Sequence, residues 1–137
     1  MPQGAGFDGA KRAGGNPNGG PRGGGGNAGG GNAGAVKFPR AIVKGGPLAF
    51  SFSGLKTALR EHVRRGGVPE GQALADLCAS YQEAIVGALV SKIFRAAREL
   101  QLDRVVLSGG VAANGRLREA VTGRAAEYEG MQVFLPP

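Results

Sequence analysis

VVLSGGVAANGRLREAV, residues 105–121, is the stretch whose reading decides the fold. The apolar run Val105-Val106-Leu107 reads as part of a strand over residues 104–108. Gly109-Gly110 interrupt it, and Asn114 follows at the start of a helical pattern. Leu117, Val121 and Ala125 recur at helical spacing, which predicts a helix over 112–129 with those residues inside. MQVFL, residues 131–135, then reads as a second strand. Strand, helix, strand in about 30 residues predicts a right-handed βαβ unit with parallel strands, and hence an α/β fold.

A glycine pair after the C-terminal end of a parallel strand lies where α/β sheets bind ligands. Glycine lets the backbone approach a ligand closely and tolerates positive φ. The helix that follows offers free N–H groups and a partial positive charge in its first turn. Gly109 and Gly110 are therefore candidate substrate-binding residues for an anion or nucleotide. Asn114 is a further candidate, able to offer its amide to a base, a ribose or an acyl group. The competing reading is a tight strand-to-helix turn with Asn114 as a local cap. The ligand-site reading depends on a helix over residues 112–127. The stretch is neither the G-x-x-x-x-G-K-[ST] phosphate loop nor G-x-G-x-x-G.

Working upstream, the apolar positions from Leu77 to Leu100 trace one broad helical face. The run is long for a single globular helix, so a break is expected near Cys78–Ser80, with Pro69 opening the segment. Before it, Leu55, Ala58, Leu59 and Val63 predict a helix with Ser53 at the N-cap and Gly66-Gly67 as its end. LAFSF, residues 48–52, alternates like a strand, and AIV, residues 41–43, is a further short apolar piece.

Composition divides the chain. Residues 1–35 hold 15 of the 27 glycines and read as a glycine-rich, low-complexity or loop segment with little regular structure. Residues 36–137 have the apolar content of a normal globular segment. The formal charge is +7, with Lys11, Arg12, Arg22, Lys37 and Arg40 facing only Asp8 in the first 40 residues. Such a balance attracts nucleic acid and also serves solubility. Cys78 is the single cysteine, so no internal disulfide can form, and it reads as a small core residue in a reducing compartment. The pattern suggests no membrane span or signal peptide, and a cytoplasmic location is expected.

Three stretches carry a family resemblance: FPRAIVKGGPLAFSFSGLKTALREHV (38–63), LCASYQEAIVGALVSKIFRAARELQLDRVVLSGGVAANGRLREAV (77–121) and VFLPP (133–137). They resemble the C-terminal part of the tRNA threonylcarbamoyladenosine transferases, formerly described as O-sialoglycoprotein endopeptidases. That family belongs to the actin, sugar-kinase and Hsp70 ATPase-like (ASKHA) superfamily, so the resemblance implies that residues 36–137 form a partial α/β domain of that kind. The chain is similar to it almost without gaps over 38–137, and FSFSGLKTAL followed by GGVAANxxLR is a specific pair. GAGFDGAKR and NGGPRG resemble the family's Gly-Glu-Ala-Phe-Asp-Lys and Pro-Gly-Gly-Pro more weakly. The resemblance places Asp8 on a ribose-binding aspartate, Gly20 on a substrate-contacting glycine and Asn114 on a substrate-binding asparagine. Ala5 stands where the family has Glu, and Gly9 where it has Lys. For Asp8 the alternative is a solvated turn residue.

The resemblance implies transfer of a threonylcarbamoyl group from threonylcarbamoyl-AMP to N6 of adenosine at tRNA position 37. It implies an iron or zinc ion held by two histidines and an aspartate shortly after FLPP. The expected partners are tRNA, threonylcarbamoyl-AMP and other subunits of the transferase complex, with no membrane. This sequence has one histidine, His62, which reads as a solvated helix residue, whereas a metal site takes three or four ligands. The expectation is therefore an incomplete fragment, inactive by itself. Arg60, Arg64, Arg65, Arg116 and Arg118 are candidates for a tRNA-facing surface. The rival reading is a non-catalytic, degraded paralogue or partner-binding fragment of the same fold. No nucleophile–base pair or H-E-x-x-H motif supports a protease.

Overall fold

The computed structural model describes residues 30–40 and 45–137. Three α-helices and two short strands follow one another: α1 (Ser53–Gly66), α2 (Gly71–Glu99), β1 (Arg104–Val106), α3 (Gly115–Ala125) and β2 (Gln132–Phe134). A 3-10 turn, Gly110–Ala113, joins β1 to α3. The strands pair in parallel, with Val105 opposite Val133 and Val106 opposite Phe134. The α/β expectation and the parallel pair hold. Both strands are shorter than the five residues expected for each, because a lone pair offers few ladder partners. The expected helix over 112–129 begins only at Gly115 and ends at Ala125, with residues 112–113 in the 3-10 turn, so the helix over 112–127 on which the ligand-site reading depends forms only in its central 11 residues.

The core lies between α2, α3 and one face of the sheet. Val86 and Phe94 of α2 meet Val105 of β1 and Leu117, Val121 and Ala125 of α3. Leu117, Val121 and Ala125 are the three inward positions that helical spacing predicts for α3. Tyr128 stacks on Phe94 with ring centroids 5.3 Å apart. Alternation along β1 buries Val105 and turns Val106 outward.

In α1, Leu55 is buried and Ala58, Leu59 and Val63 are half-buried, as their spacing requires. Ser53 is the first helical residue rather than the cap. Its N–H already has a partner two residues back, donating to Ser51 Oγ at 3.4 Å. Gly67, at φ +76°, closes the helix by donating its N–H to Val63 O at 2.7 Å.

α2 runs unbroken for 29 residues, without the break expected near Cys78–Ser80. Packing from several sides sustains it. α3 and β1 cover one part, and a loop at residues 31–38 lies along another. In that loop Asn32 N–H donates to Asp76 Oδ1 at 2.7 Å, Ser80 Oγ donates to Asn32 O at 3.2 Å, and Val36 N–H donates to Ser80 Oγ at 3.0 Å. Phe38 packs edge-on to Tyr81 at 5.3 Å. A Cβ at Gly31 would stand 1.9 Å from Ala75 O, so only glycine fits that approach. Leu77, Ala79 and Ser80 take the inward positions of that turn, which leaves Cys78 exposed rather than in the core. The helix starts at Gly71, two residues after Pro69.

By length and composition α2 also passes for a membrane-crossing helix, with a mean hydropathy of 1.3 in its most apolar window. Of that window 22% is buried inside the protein, and the helix's polar residues Asp76, Ser80 and Glu83 bond to neighbouring segments.

LAFSF forms no strand. No ladder partner is available to it among the described residues, and Phe50 and Phe52 stack on each other at 6.3 Å. AIV, residues 41–43, lies outside the described residues, as do residues 1–29 with Asp8 and Gly20. Residues 30–35 have turns and bends only.

Candidate functional site

β1 delivers the chain to the turn at residues 107–114. Leu107 N–H donates to Phe134 O at 3.0 Å and so extends the parallel ladder by one bond. Gly109 then takes φ +86° and ψ 178°, a backbone state that a side chain disfavours. Ala112 N–H donates to Gly109 O at 3.1 Å and Asn114 N–H to Val111 O at 3.0 Å, closing the 3-10 turn. Open space surrounds the Cβ positions of both Gly109 and Gly110. Ser108, Gly109, Gly110 and Val111 are exposed, while Ala112 is buried beneath them. The turn thus presents a stretch of exposed backbone at the C-terminal end of a parallel strand.

Asn114 is the N-cap of α3. Its Oδ1 accepts from Leu117 N–H at 2.9 Å, satisfying one of the free donors of the first turn. Its Nδ2 donates to Gln82 Oε1 of α2 at 3.2 Å. The local-cap reading of Asn114 is therefore correct. A primary amide has two N–H donors, so one donor is left beyond these two bonds among the described residues.

Two arginines hold the turn from behind. Arg118 Nε donates to Ala112 O at 2.6 Å. Arg116 makes a two-pronged pair with Glu83 of α2, both bonds at 2.8 Å. Arg116 and Arg118, both candidates for a nucleic-acid surface by sequence, are half-buried struts instead. Arg60, Arg64 and Arg65 are exposed on α1. The Arg64 guanidinium beside Glu61, with the charges of Arg65 and Arg60, holds the Glu61 carboxyl below the ordinary glutamate range.

The residues that sequence reasoning missed lie on α2. Asp76, Ser80 and Glu83, with Gln82 beside them, hold both the 31–38 loop and the glycine turn. The signal was available: Asp76, Ser80 and Glu83 recur at helical spacing inside an otherwise apolar run.

A groove of about 630 Å³ runs between α2 and α3, with Val86, Phe94, Tyr128, Arg95, Arg98 and Arg124 among its lining residues. It shares Glu83 and Arg116 with the surroundings of the turn but is not lined by Gly109, Gly110 or Asn114. Among the described residues no three His, Cys, Asp or Glu side chains stand close enough to hold a metal ion. His62 is exposed on α1.

A sequence model of the family described as TsaD, tRNA N6-adenosine threonylcarbamoyltransferase, matches residues 5–137. The protein of that name from Anaeromyxobacter dehalogenans is 75% identical over 103 residues, covering 75% of this chain and 31% of the relative. The one from Sorangium cellulosum is 52% identical over 99 residues, covering 72% of this chain and 28% of the relative. The one from Geobacter sulfurreducens is 48% identical over 102 residues, covering 74% and 30%. The chain spans about a third of the length of these relatives. With a parallel pair that ends in the glycine turn, and a family match across nearly all of its residues, the chain belongs to the tRNA N6-adenosine threonylcarbamoyltransferase family.

Proposed function

We propose that this chain carries the adenylate-holding turn of a tRNA threonylcarbamoyl transferase, within a partial ASKHA domain. In the reaction the N6 amine of adenosine 37 attacks the carbamoyl carbon of threonylcarbamoyl-AMP. The new C–N bond forms, the C–O bond to AMP breaks, and N6 loses a proton. The observation that supports this reading best is the exposed glycine turn beyond a parallel strand in a chain of this family. Gly109 turns the backbone outward, and the absence of side chains at Gly109 and Gly110 leaves room for the adenylate. The N–H of Asn114 that is not given to Gln82 is the donor proposed for the ligand. Asp8 and Gly20 join the site, at the ribose and the substrate, only through the family resemblance.

The chain's residues do not fit the iron or zinc of the family reading. One exposed histidine is not a ligand set, and three or four ligands are usual. No step here is assigned to a metal. Without one, the 137-residue chain should bind the adenylate weakly, at roughly millimolar level, and should transfer nothing. tRNA and the other subunits of the complex are its proposed partners, in the cytoplasm.

Asn114→Asp separates capping from ligand binding. The carboxylate still caps Leu117 and can accept from the Gln82 amide after that amide rotates, so helix content should hold. The donor is lost, and a non-reactive threonylcarbamoyl-adenylate analogue should bind more weakly by about 1–3 kcal/mol, read by NMR titration. Unchanged affinity in a folded Asn114→Asp variant overturns the assignment of Asn114. Incorporation of labelled threonine into tRNA by the isolated chain overturns its proposed inactivity.

A further inference from the structure

We propose that one exposed face of α1, built on Lys56, Arg60 and Arg64 with Arg65 beside them, is a docking surface for the phosphate backbone of tRNA. The choice of tRNA rests on the transferase reading given above. The surface itself rests on charge and geometry.

Lys56, Arg60 and Arg64 are spaced four residues apart and all are exposed. Residues at i, i+4 and i+8 share a side of a helix, so the three cations form a row roughly 12 Å long. Arg65 adds a fourth positive charge at the end of α1, and Glu61 is the helix's single carboxylate. Glu61 pairs with Arg64 in the open, and the Arg64 side chain keeps 69% of its surface exposed. Lys56, Arg60 and Arg65 make no hydrogen bond or ion pair among the described residues.

Lys37, Arg40 and Arg98 are likewise exposed without a partner among the described residues but form no row on one helix, and the remaining cations differ. Arg116 is held by Glu83 and Arg118 by Ala112 O. Arg95 pairs with Glu99, Arg124 with Glu127, and Lys92 donates to Pro47 O. A row of solvated cations on a rigid helix, only Arg64 of them paired with a carboxylate, is the footprint of phosphate binding. An anionic lipid surface would ask for an apolar face as well. The apolar side of α1 is already used: Leu55 is 1% exposed, and Ala58, Leu59 and Val63 are half-buried against the protein.

The test is the salt dependence of binding of a fluorescein-labelled tRNA transcript to the full 137-residue chain, by anisotropy between 50 and 200 mM KCl. Each phosphate contact contributes about 0.7–0.9 to the slope of log K against log salt. The triple variant Lys56→Gln/Arg60→Gln/Arg64→Gln should lower that slope by about 2 at unchanged helical circular dichroism. The charge-preserving variant Lys56→Arg/Arg60→Lys/Arg64→Lys should retain it. Lys11→Gln/Arg12→Gln/Arg22→Gln serves as the control for the glycine-rich segment.

An unchanged slope in the α1 triple variant overturns the proposal, as does a larger loss in the control than in the α1 variant. Loss in the α1 triple variant of binding to vesicles of phosphatidylserine and phosphatidylcholine, with tRNA binding intact, overturns it in favour of a membrane surface. The enzymatic reading is judged separately by the adenylate titration. A slope change without adenylate binding leaves the surface standing, and adenylate binding with an unchanged slope removes the surface alone.

Discussion

Asn114 serves folding with its amide oxygen and one N–H, so its structural contribution can be measured apart from any ligand. Asn114→Ala removes the cap on Leu117 N–H and the bond to Gln82. The expected loss is about 1 kcal/mol, within the usual span of 0.5–2 for an N-cap, read as a shift in the urea midpoint at constant m. A change below about 0.3 kcal/mol would mean that the cap bond does not form in solution. The sequence pointed to Asn114 because asparagine before an apolar-periodic run is an N-terminal signal. It could not point to Gln82, which is 32 residues away and reaches Asn114 only once α2 and α3 are packed.

Elements end where backbone chemistry lets them, and α2 ends on an unfavourable residue. Gln101 takes φ +53°, its N–H donates to Arg98 O at 3.3 Å, and Leu102 N–H donates to Ala97 O at 2.8 Å. This is the Schellman arrangement, in which glycine is the usual left-handed residue. A glutamine there carries a steric cost of roughly 1 kcal/mol. Gln101→Gly should therefore raise stability by about 0.5–1 kcal/mol, the entropy of the more flexible unfolded chain offsetting part of the gain. Thermal unfolding checks this, and a lower midpoint would count against the left-handed conformation at 101. The length of α2 has its own cause. A break looked reasonable near Cys78–Ser80 because a local reading cannot see the 31–38 loop that supports that turn. Gly31 sits against the α2 backbone at Ala75, which is a tertiary demand on one glycine among 27.

At the scale of the whole molecule, the described residues cover the sheet on one face only. Val105 is buried beneath α2 and α3, while Val106 is 68% and Phe134 50% exposed on the other side. Parallel sheets are ordinarily buried on both faces, and a two-stranded one has little stability of its own. The stability of this chain therefore comes from α2 and α3 closing over Val105, Leu117 and Val121. An exposed apolar pair of this kind binds hydrophobic dyes. Val106→Thr/Phe134→Thr should reduce binding of anilinonaphthalene sulfonate to the native chain while moving its unfolding midpoint little. Dye binding that survives the double substitution would place the exposed apolar surface elsewhere.

The sequence by itself determined the periodic elements: the two strands about the glycine turn, α3 with its three inward residues, the apolar sides of α1 and α2, and the family. These depend on neighbours within one or two turns of chain, where spacing and turn chemistry act directly. Only the tertiary structure decided the uses of the charged and polar residues. Arg116 and Arg118 look like surface cations until Glu83 and Ala112 O are brought beside them. Cys78 looks like a core residue until Leu77, Ala79 and Ser80 fill the inward positions. LAFSF alternates like a strand but finds no ladder to join. Each depends on a partner far away in sequence, and a local pattern records what a residue prefers without recording which partner folding supplies.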